Sequence, residues 1–269
     1  MGFVVAEDAV RAATALGMPV VEGRRLPGRE RGRLGTVGRR AAAYGLMMTT
    51  KAAYDAHADW YEDYVTGAAA EYTTRRQALL RRLLGAGPGV CLDLCCGTGV
   101  QAAELSALGW SPVGLDLSGG QLRHAVRRLP VVRADAAALP FADGAVPAVD
   151  CVLAHTDVPD YAAVLREVAR VLRPGGRFVH IGVHPCYVGA FADWSARPTV
   201  VVDERYADRS HTYEAWCPAG VRARVGAWHL PLADLLNAVI AAGLRLDRVE
   251  EVGPAGVPDV LGLAAVKPA

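Results

Sequence analysis

Residues 90–99 read Val-Cys-Leu-Asp-Leu-Cys-Cys-Gly-Thr-Gly: an apolar run holding an acid at Asp93, then a tight turn built on Gly97 and Gly99. A helical stretch at 100–108 and a second apolar run at 112–115 lead to Asp116. Strand, glycine turn, helix, strand, acid is the order of the nucleoside-binding half of a doubly wound α/β sheet. Glycines let the backbone approach a ligand closely, and a carboxylate at the second strand's tip can accept both hydroxyls of a ribose. The spacing predicts an adenosine-containing cofactor.

Which cofactor is a separate question, because Gly97-Thr98-Gly99-Val100-Gln101-Ala102 also fits the dinucleotide fingerprint. Asp93 argues against a dinucleotide: its charge suits a cationic ammonium, and a diphosphate would be repelled there. Lys51 and Lys267 are the chain's two lysines, and neither follows a tyrosine at the Tyr-x-x-x-Lys spacing of a nicotinamide enzyme. Four stretches then occur in order: Leu92-Asp93-Leu94-Cys95-Cys96-Gly97-Thr98-Gly99, Val113-Gly114-Leu115-Asp116-Leu117-Ser118, Ala134-Asp135-Ala136 running on to Leu139-Pro140-Phe141, and Arg170-Val171-Leu172-Arg173-Pro174-Gly175-Gly176-Arg177. Together they resemble the class I S-adenosylmethionine-dependent methyltransferases, in the branch similar to ubiquinone and menaquinone methyltransferases. The resemblance runs from about Tyr54 to Gly182, and more loosely to the end of the chain.

The resemblance implies S-adenosyl-L-methionine as cofactor and a role for each matching residue. Asp93 orients the methionine ammonium together with the Gly97–Gly99 backbone. Asp116 binds the ribose diol, Asp135 accepts from the adenine amino group, and Leu117 and Ala136 sandwich the ring. Tyr54 or Tyr61 touches the methionine carboxylate. Cys95 departs from the pattern, standing where the family usually has glycine; its small side chain predicts a snugger turn with the cofactor retained.

Methyl transfer to a hydroxyl also needs a base. His184 follows the fifth strand at a rigid His184-Pro185-Cys186 turn and is the first candidate; His155, after the fourth strand, is the second. His180 points to the same face as His184 but deeper and reads as core, while His211 and His229 fall in an insertion. Asp157 and Asp160 beside His155 could suggest magnesium, but no further carboxylate pair accompanies them and Asp160 is a natural helix cap, so no metal is expected.

The elements that position these residues alternate regularly. Strands are expected at 90–94, 112–116, 130–134, 149–154 and 177–183. Helices are expected at 99–108, 119–128 and 160–172, the last ending at Pro174-Gly175-Gly176. A helix at 231–242 and strands at about 244–251 and 259–266 complete the pattern. This is an α/β fold: a doubly wound, mostly parallel, Rossmann-like sheet. The resemblance implies seven strands with the last antiparallel. Residues 47–88 form an N-terminal helical cap, 89–183 the cofactor-binding core, 184–230 an inserted lid over the substrate and 231–269 the completion of the core. Residues 1–46, crowded with arginine, read as a disordered, dispensable extension.

Twelve of the eighteen aromatic residues lie in the cap and lid: Tyr54, Trp60, Tyr61, Tyr64 and Tyr72, then Tyr187, Phe191, Trp194, Tyr206, Tyr213, Trp216 and Trp228. That concentration predicts an apolar pocket for a small aromatic or polyketide-like acceptor above the strand ends, with O-methylation the first choice and N- or C-methylation the alternative. A net charge of +1 and a pI near 7.7 give no sign of nucleic acid or an anionic membrane as partner. There is no apolar run of membrane-spanning length and no signal peptide is apparent, so a cytoplasmic monomer or homodimer is expected. The six cysteines lack the spacing of a zinc site or disulfide framework and read as small buried hydrophobes. A nicotinamide oxidoreductase and a non-catalytic binding subunit remain as alternatives from other classes.

Overall fold

The computed structural model describes residues 52–197, 199–216, 220–254 and 256–269. The arginine-rich stretch 1–46 lies outside them. The core is a seven-stranded sheet of β1 (Gly89–Leu94), β2 (Trp110–Asp116), β3 (Val131–Arg133), β4 (Val146–Val152), β5 (Leu172–Val183), β10 (Arg245–Val252) and β11 (Val260–Val266). Their spatial order is β3-β2-β1-β4-β5-β11-β10, with β11 antiparallel to both of its neighbours and the remaining pairs parallel. The strand order reverses between β1 and β4, which is where an open α/β sheet leaves a crevice at its C-terminal edge.

Alternation along β1 sends Leu92 and Leu94 to one face and Cys91 and Asp93 to the other. On the first face α5 (Tyr161–Val171) buries Tyr161, Val164, Leu165, Val168 and Val171, the spacing of one helical stripe. On the second, α2 (Ala70–Leu84) buries Leu79, Leu80, Leu83 and Leu84 against Cys91, Ala148, Val179 and Ile181. Full burial of each such side chain is worth about 1.5–3 kcal/mol. α1 (Ala58–Thr66) precedes α2; α3 (Ala102–Ala107) and α4 (Gly119–Ala125) follow β1 and β2, and α7 (Leu232–Ala241) packs beside α5. Asp160 caps α5 by accepting from the Ala163 amide at 2.8 Å.

Two strands differ from expectation. β4 begins at Val146, three residues early, because Pro147 does not stop it; β5 begins at Leu172, directly at the end of α5. Val146 pairs with Leu172 and Ala148 with Arg177, so Pro174-Gly175-Gly176 is an excursion within the strand. It is tied down by Lys267, whose carbonyl accepts from Gly175 and whose amide donates to Gly176.

Between β5 and α7 the chain forms two small hairpins, β6 (Ala192–Asp193) with β7 (Val201–Val202) and β8 (His211–Thr212) with β9 (Ala227–Trp228), and a five-residue helix α6 (Val221–Val225). This insertion is seated on the core by the Trp228 amide donating to the Thr156 carbonyl at 2.8 Å. Among the described residues no helix is long and apolar enough to cross a membrane.

Candidate active site

The turn after β1 is shaped by positive backbone angles: φ is 57° at Cys95, 55° at Gly97 and 78° at Gly99. The two glycines have different tasks. A side chain at Gly99 would stand 2.7 Å from Leu129 and 3.2 Å from Ala125, so this glycine lets the turn pack on α4. At Gly97 the nearest atoms would be Gln121 Oε1 at 3.8 Å and Tyr61 Cε1 at 4.0 Å, leaving room for a ligand to lie against the backbone. The Gly97 amide donates to Asp116 Oδ2 at 2.9 Å, and the Ser118 amide to Oδ1 at 2.8 Å. Asp116 is thereby fixed at the tip of β2. Burial pushes its carboxyl up to about 6 against the pull of these two amides, so it is mostly ionised at neutral pH.

Asp93 is 1% exposed, and its Oδ2 has no hydrogen-bond partner among the described residues. It pairs in register with Asp150 on β4, whose Oδ2 is likewise buried and without a partner. Burial first, then Asp150 and Asp116, holds the Asp93 carboxyl well above the usual range, and burial pushes Asp150 up to about 7. The pair therefore retains a proton at neutral pH. Thr98 Oγ1, Gln101 Oε1 and Gln121 Oε1 are also buried around the same turn without hydrogen-bond partners among the described residues. Asp135 Oδ1 accepts from the Ala137 amide at 2.8 Å, beside the buried Ala136 and the half-buried Leu117.

The cap is fastened onto this turn by Asp55, a residue sequence reasoning left unassigned. Its Oδ1 accepts from Ser118 Oγ at 2.7 Å and from the Gly120 amide at 3.0 Å. Tyr54 and Tyr61 follow it, with ring centroids 5.1 Å apart edge to face. The Tyr54 hydroxyl donates to Asp157 Oδ1 at 3.3 Å, which spends its single proton on a protein carboxylate. Asp157 is also gripped by Arg222 from α6 in the lid. Burial alone would lower the Arg222 guanidinium, but Asp157 holds it above its usual range. A second link joins lid and cap: Arg224 stacks over the Trp60 ring at 4.0 Å. Arg222 sits between Gly220 and Gly226 in a helix too short to show a periodic pattern, so no sequence signal marked it.

Under these links lies a cavity of about 280 Å³ at the ends of β4 and β5. Tyr54, Tyr61, Tyr64, Tyr72, Trp194 and Trp216 supply its aromatic walls. The other lid aromatics do different work. Phe191, Tyr206 and His229 cluster with centroids 4.4–5.4 Å apart, Tyr187 stacks on His184 at 4.6 Å, and Tyr213 is 61% exposed. A smaller cavity of about 100 Å³ adjoins, sharing Val183, Val188, Gly189 and Trp216 and lined also by His155.

The histidines separate clearly. His184 is 1% exposed; its Nδ1 accepts from the Cys186 amide at 3.1 Å, which leaves Nε2 to donate to Glu251 Oε1 at 2.6 Å. Both ring nitrogens are committed to the protein, so the expectation of His184 as first base is corrected: it locks the turn at the end of β5. His155 Nδ1 has no partner among the described residues, and burial, with His180, Arg222 and His229 adding to it, holds this imidazole neutral. His180 bonds Tyr161 at 2.8 Å in the core, and burial lowers it to about 3. The thiols of Cys91, Cys96 and Cys151 are buried as expected, whereas Cys95 and Cys186 are half-buried and Cys217 lies outside the described residues.

A family model described as a methyltransferase domain matches residues 91–176. A demethylmenaquinone methyltransferase of Mycolicibacterium paratuberculosis is 48% identical over 101 residues, 37% of this chain and 44% of that one. The demethylmenaquinone methyltransferase of Corynebacterium kroppenstedtii is 36% identical over 160 residues, 54% of this chain and 69% of that one. The chain belongs to the class I S-adenosylmethionine-dependent methyltransferases. Its branch is the menaquinone-like one. An S-adenosylmethionine-dependent methyltransferase from Mesorhizobium loti has the same fold, with a TM-score of 0.61, 27% identity, and coverage of 70% of this chain and 96% of that one. The chain spans about four-tenths of the length of the mycobacterial relatives it matches.

The residues fit S-adenosylmethionine. Asp93 Oδ2 is an acceptor without a donor where the ammonium is expected, Gly97 leaves the backbone bare beside it, and Asp116 keeps lone pairs for a diol. Tyr61, close to Gly97, has the hydroxyl proton that Tyr54 has already given to Asp157.

Proposed function

We propose that this methyltransferase acts on a small, planar, aromatic acceptor held in the cavity between the cap and the lid. The observation carrying this reading is the position of that cavity: six aromatic rings enclose it, and one of them, Tyr61, is also the neighbour of Gly97. A bound S-adenosylmethionine supplies a methyl group on a sulfonium that is already a good leaving group. The protein's contribution is then to hold the acceptor in line and to exclude water from it. The Arg222–Asp157 and Arg224–Trp60 links keep the lid over the cavity.

Transfer to oxygen remains the first reading, with His155 taking the place of His184 as the candidate base. Neutral His155 has a lone pair to accept a proton at any pH near neutrality, and its weak basicity suits an acidic hydroxyl better than a simple alcohol. Transfer to carbon is the second reading, favoured by the name that the relatives share, which points to a quinone-type acceptor. The test is to supply cofactor with a panel of hydroxylated naphthalenes and quinols and to measure S-adenosylhomocysteine release and the position of the new methyl. Release with planar aromatic hydroxyls but not with aliphatic alcohols supports the reading. S-adenosylhomocysteine binding without turnover on any aromatic acceptor would sink it.

A further inference from the structure

Arg76 is a buried cation that nothing described so far explains. It projects from α2 into the aromatic cavity and is 4% exposed. Its Nε donates to the Tyr72 carbonyl at 3.2 Å and its Nη2 to Thr73 Oγ1 at 2.9 Å, both on its own helix. The Tyr72 ring lies 4.7 Å from the guanidinium carbon. No carboxylate forms an ion pair with the guanidinium among the described residues.

The other charged groups around the cavity are differently placed. Asp157 is bound by Arg222, and Asp259 by Arg75 at 2.7 Å. Arg197 stacks on Trp194 at 4.9 Å and adds a second positive charge without an ion pair among the described residues. Burial keeps Tyr61 and Tyr72 protonated, so neither phenol neutralises Arg76. A buried guanidinium without a counter-charge is costly, and its planar edge matches a carboxylate with two parallel hydrogen bonds.

We propose that the acceptor carries a carboxylate, and that Arg76 receives it inside the cavity while the ring lies among the tyrosines and tryptophans. This deepens the reading of the cavity as the acceptor site and rests on it. Arg76 is then a specificity residue: it sets which end of the acceptor enters first and turns the reacting end toward Gly97.

The test uses the full chain saturated with S-adenosylhomocysteine, with para-coumarate, its carboxamide and phenyl phosphate titrated in by calorimetry. The carboxylate should bind at least about tenfold tighter than the amide of the same shape, as expected for one lost charge-assisted bidentate contact. Arg76→Gln should bring the two to within about twofold of each other and leave S-adenosylhomocysteine affinity unchanged, while Arg197→Gln should keep most of the preference. Equal binding of acid and amide by the wild type, or an undiminished preference in Arg76→Gln, overturns the proposal. Tighter binding of the phosphate overturns the assignment to a carboxylate. Should Arg76→Gln fail to fold, Arg76→Lys reads the same point. Lysine keeps the charge without the fork, so the preference should fall at least about threefold, and an unchanged preference overturns the proposal. Absence of binding by all three probes would remove the cavity as acceptor site, and the proposal with it, whereas cofactor binding reports separately on the other half of the site.

Discussion

The two halves of the site are built by different means. The cofactor half is made from backbone: three alternate positive-φ positions in one turn, two amides clamped on Asp116, and glycines whose missing side chains define the space. The proposed acceptor half is made from side chains: six aromatic rings and three arginines drawn from the cap and from an insertion of short hairpins. Backbone geometry is encoded locally, by glycine and by strand ends. Side-chain walls depend on contacts between segments 50 to 200 residues apart, such as Arg75 with Asp259 and Tyr54 with Asp157. A shared scaffold can therefore hold one cofactor while its acceptor half diverges.

Breaking the acceptor half should have the largest effect. Arg222→Met leaves Asp157 with the Tyr54 hydroxyl as its one partner among the described residues and frees α6 from the cap. Breaking a buried pair costs about 3–5 kcal/mol; the Asp157 side chain is 23% exposed, so about 2–4 kcal/mol of stability is expected here. Thermal unfolding of the single variant and of Arg222→Met with Asp157→Asn checks it: the double variant should recover part of the loss. An unchanged melting temperature in Arg222→Met would mean that the lid is not held by this pair.

The cofactor half answers to a smaller change. Asp116→Ala removes the fixed acceptor from the tip of β2 and should weaken S-adenosylhomocysteine binding by about 1.5–3 kcal/mol, with little effect on the acceptor cavity. Calorimetry decides it, and undiminished affinity would place the ribose elsewhere.

What could be read from the chain follows the same division. The strands and the mostly parallel sheet, and the places of Asp93 and Asp116 at strand ends, were legible because apolar runs and glycine punctuation repeat through the core. The excursion at Pro174-Gly175-Gly176 was not, since a proline and two glycines signal an end and the strand's continuation depends on Lys267. His184 illustrates the limit most clearly. Its place at a strand end was visible, but its commitment to Glu251, 67 residues later, was not. Arg76 stood in an ordinary charged helix, and only the burial of its neighbours reveals that it faces a cavity.

The proton held between Asp93 and Asp150 makes the cofactor half sensitive to pH. A cation at Asp93 favours the ionised pair, so cofactor binding should release up to one proton, and affinity should rise as pH climbs to about 7. Stability has the opposite sign. With carboxyls raised in the folded state, the native protein binds more protons than the unfolded chain between about pH 4 and pH 7, so this pair's contribution falls as pH rises through that window. Calorimetry in buffers of different ionisation enthalpy measures the proton. A pH-independent affinity over about one unit either side of pH 7 would show that the pair is not the ammonium's partner.

The smallest effect comes from comparing Cys95 with Gly97, whose φ values, 57° and 55°, are nearly the same. A Cβ in this region costs about 1–2 kcal/mol, and Cys95 already bears that cost. Its thiol lies beside Cys151, which together with burial pushes it well up. Cys95→Gly relieves the strain but gives up that contact and gains chain entropy in the unfolded state. The net change should be under about 1 kcal/mol, with cofactor affinity altered by less than about threefold. Gly97→Ala has room for its methyl, with no described atom nearer than 3.8 Å, so its stability loss should be limited to the same 1–2 kcal/mol or so of strain. Its effect should appear instead in the cofactor titration, because the methyl would occupy the space where a ligand meets the backbone. Equal effects of the two substitutions on affinity would mean that the turn matters for its shape alone; a loss confined to Gly97→Ala would locate the cofactor against that residue and explain why a cysteine is tolerated two positions earlier.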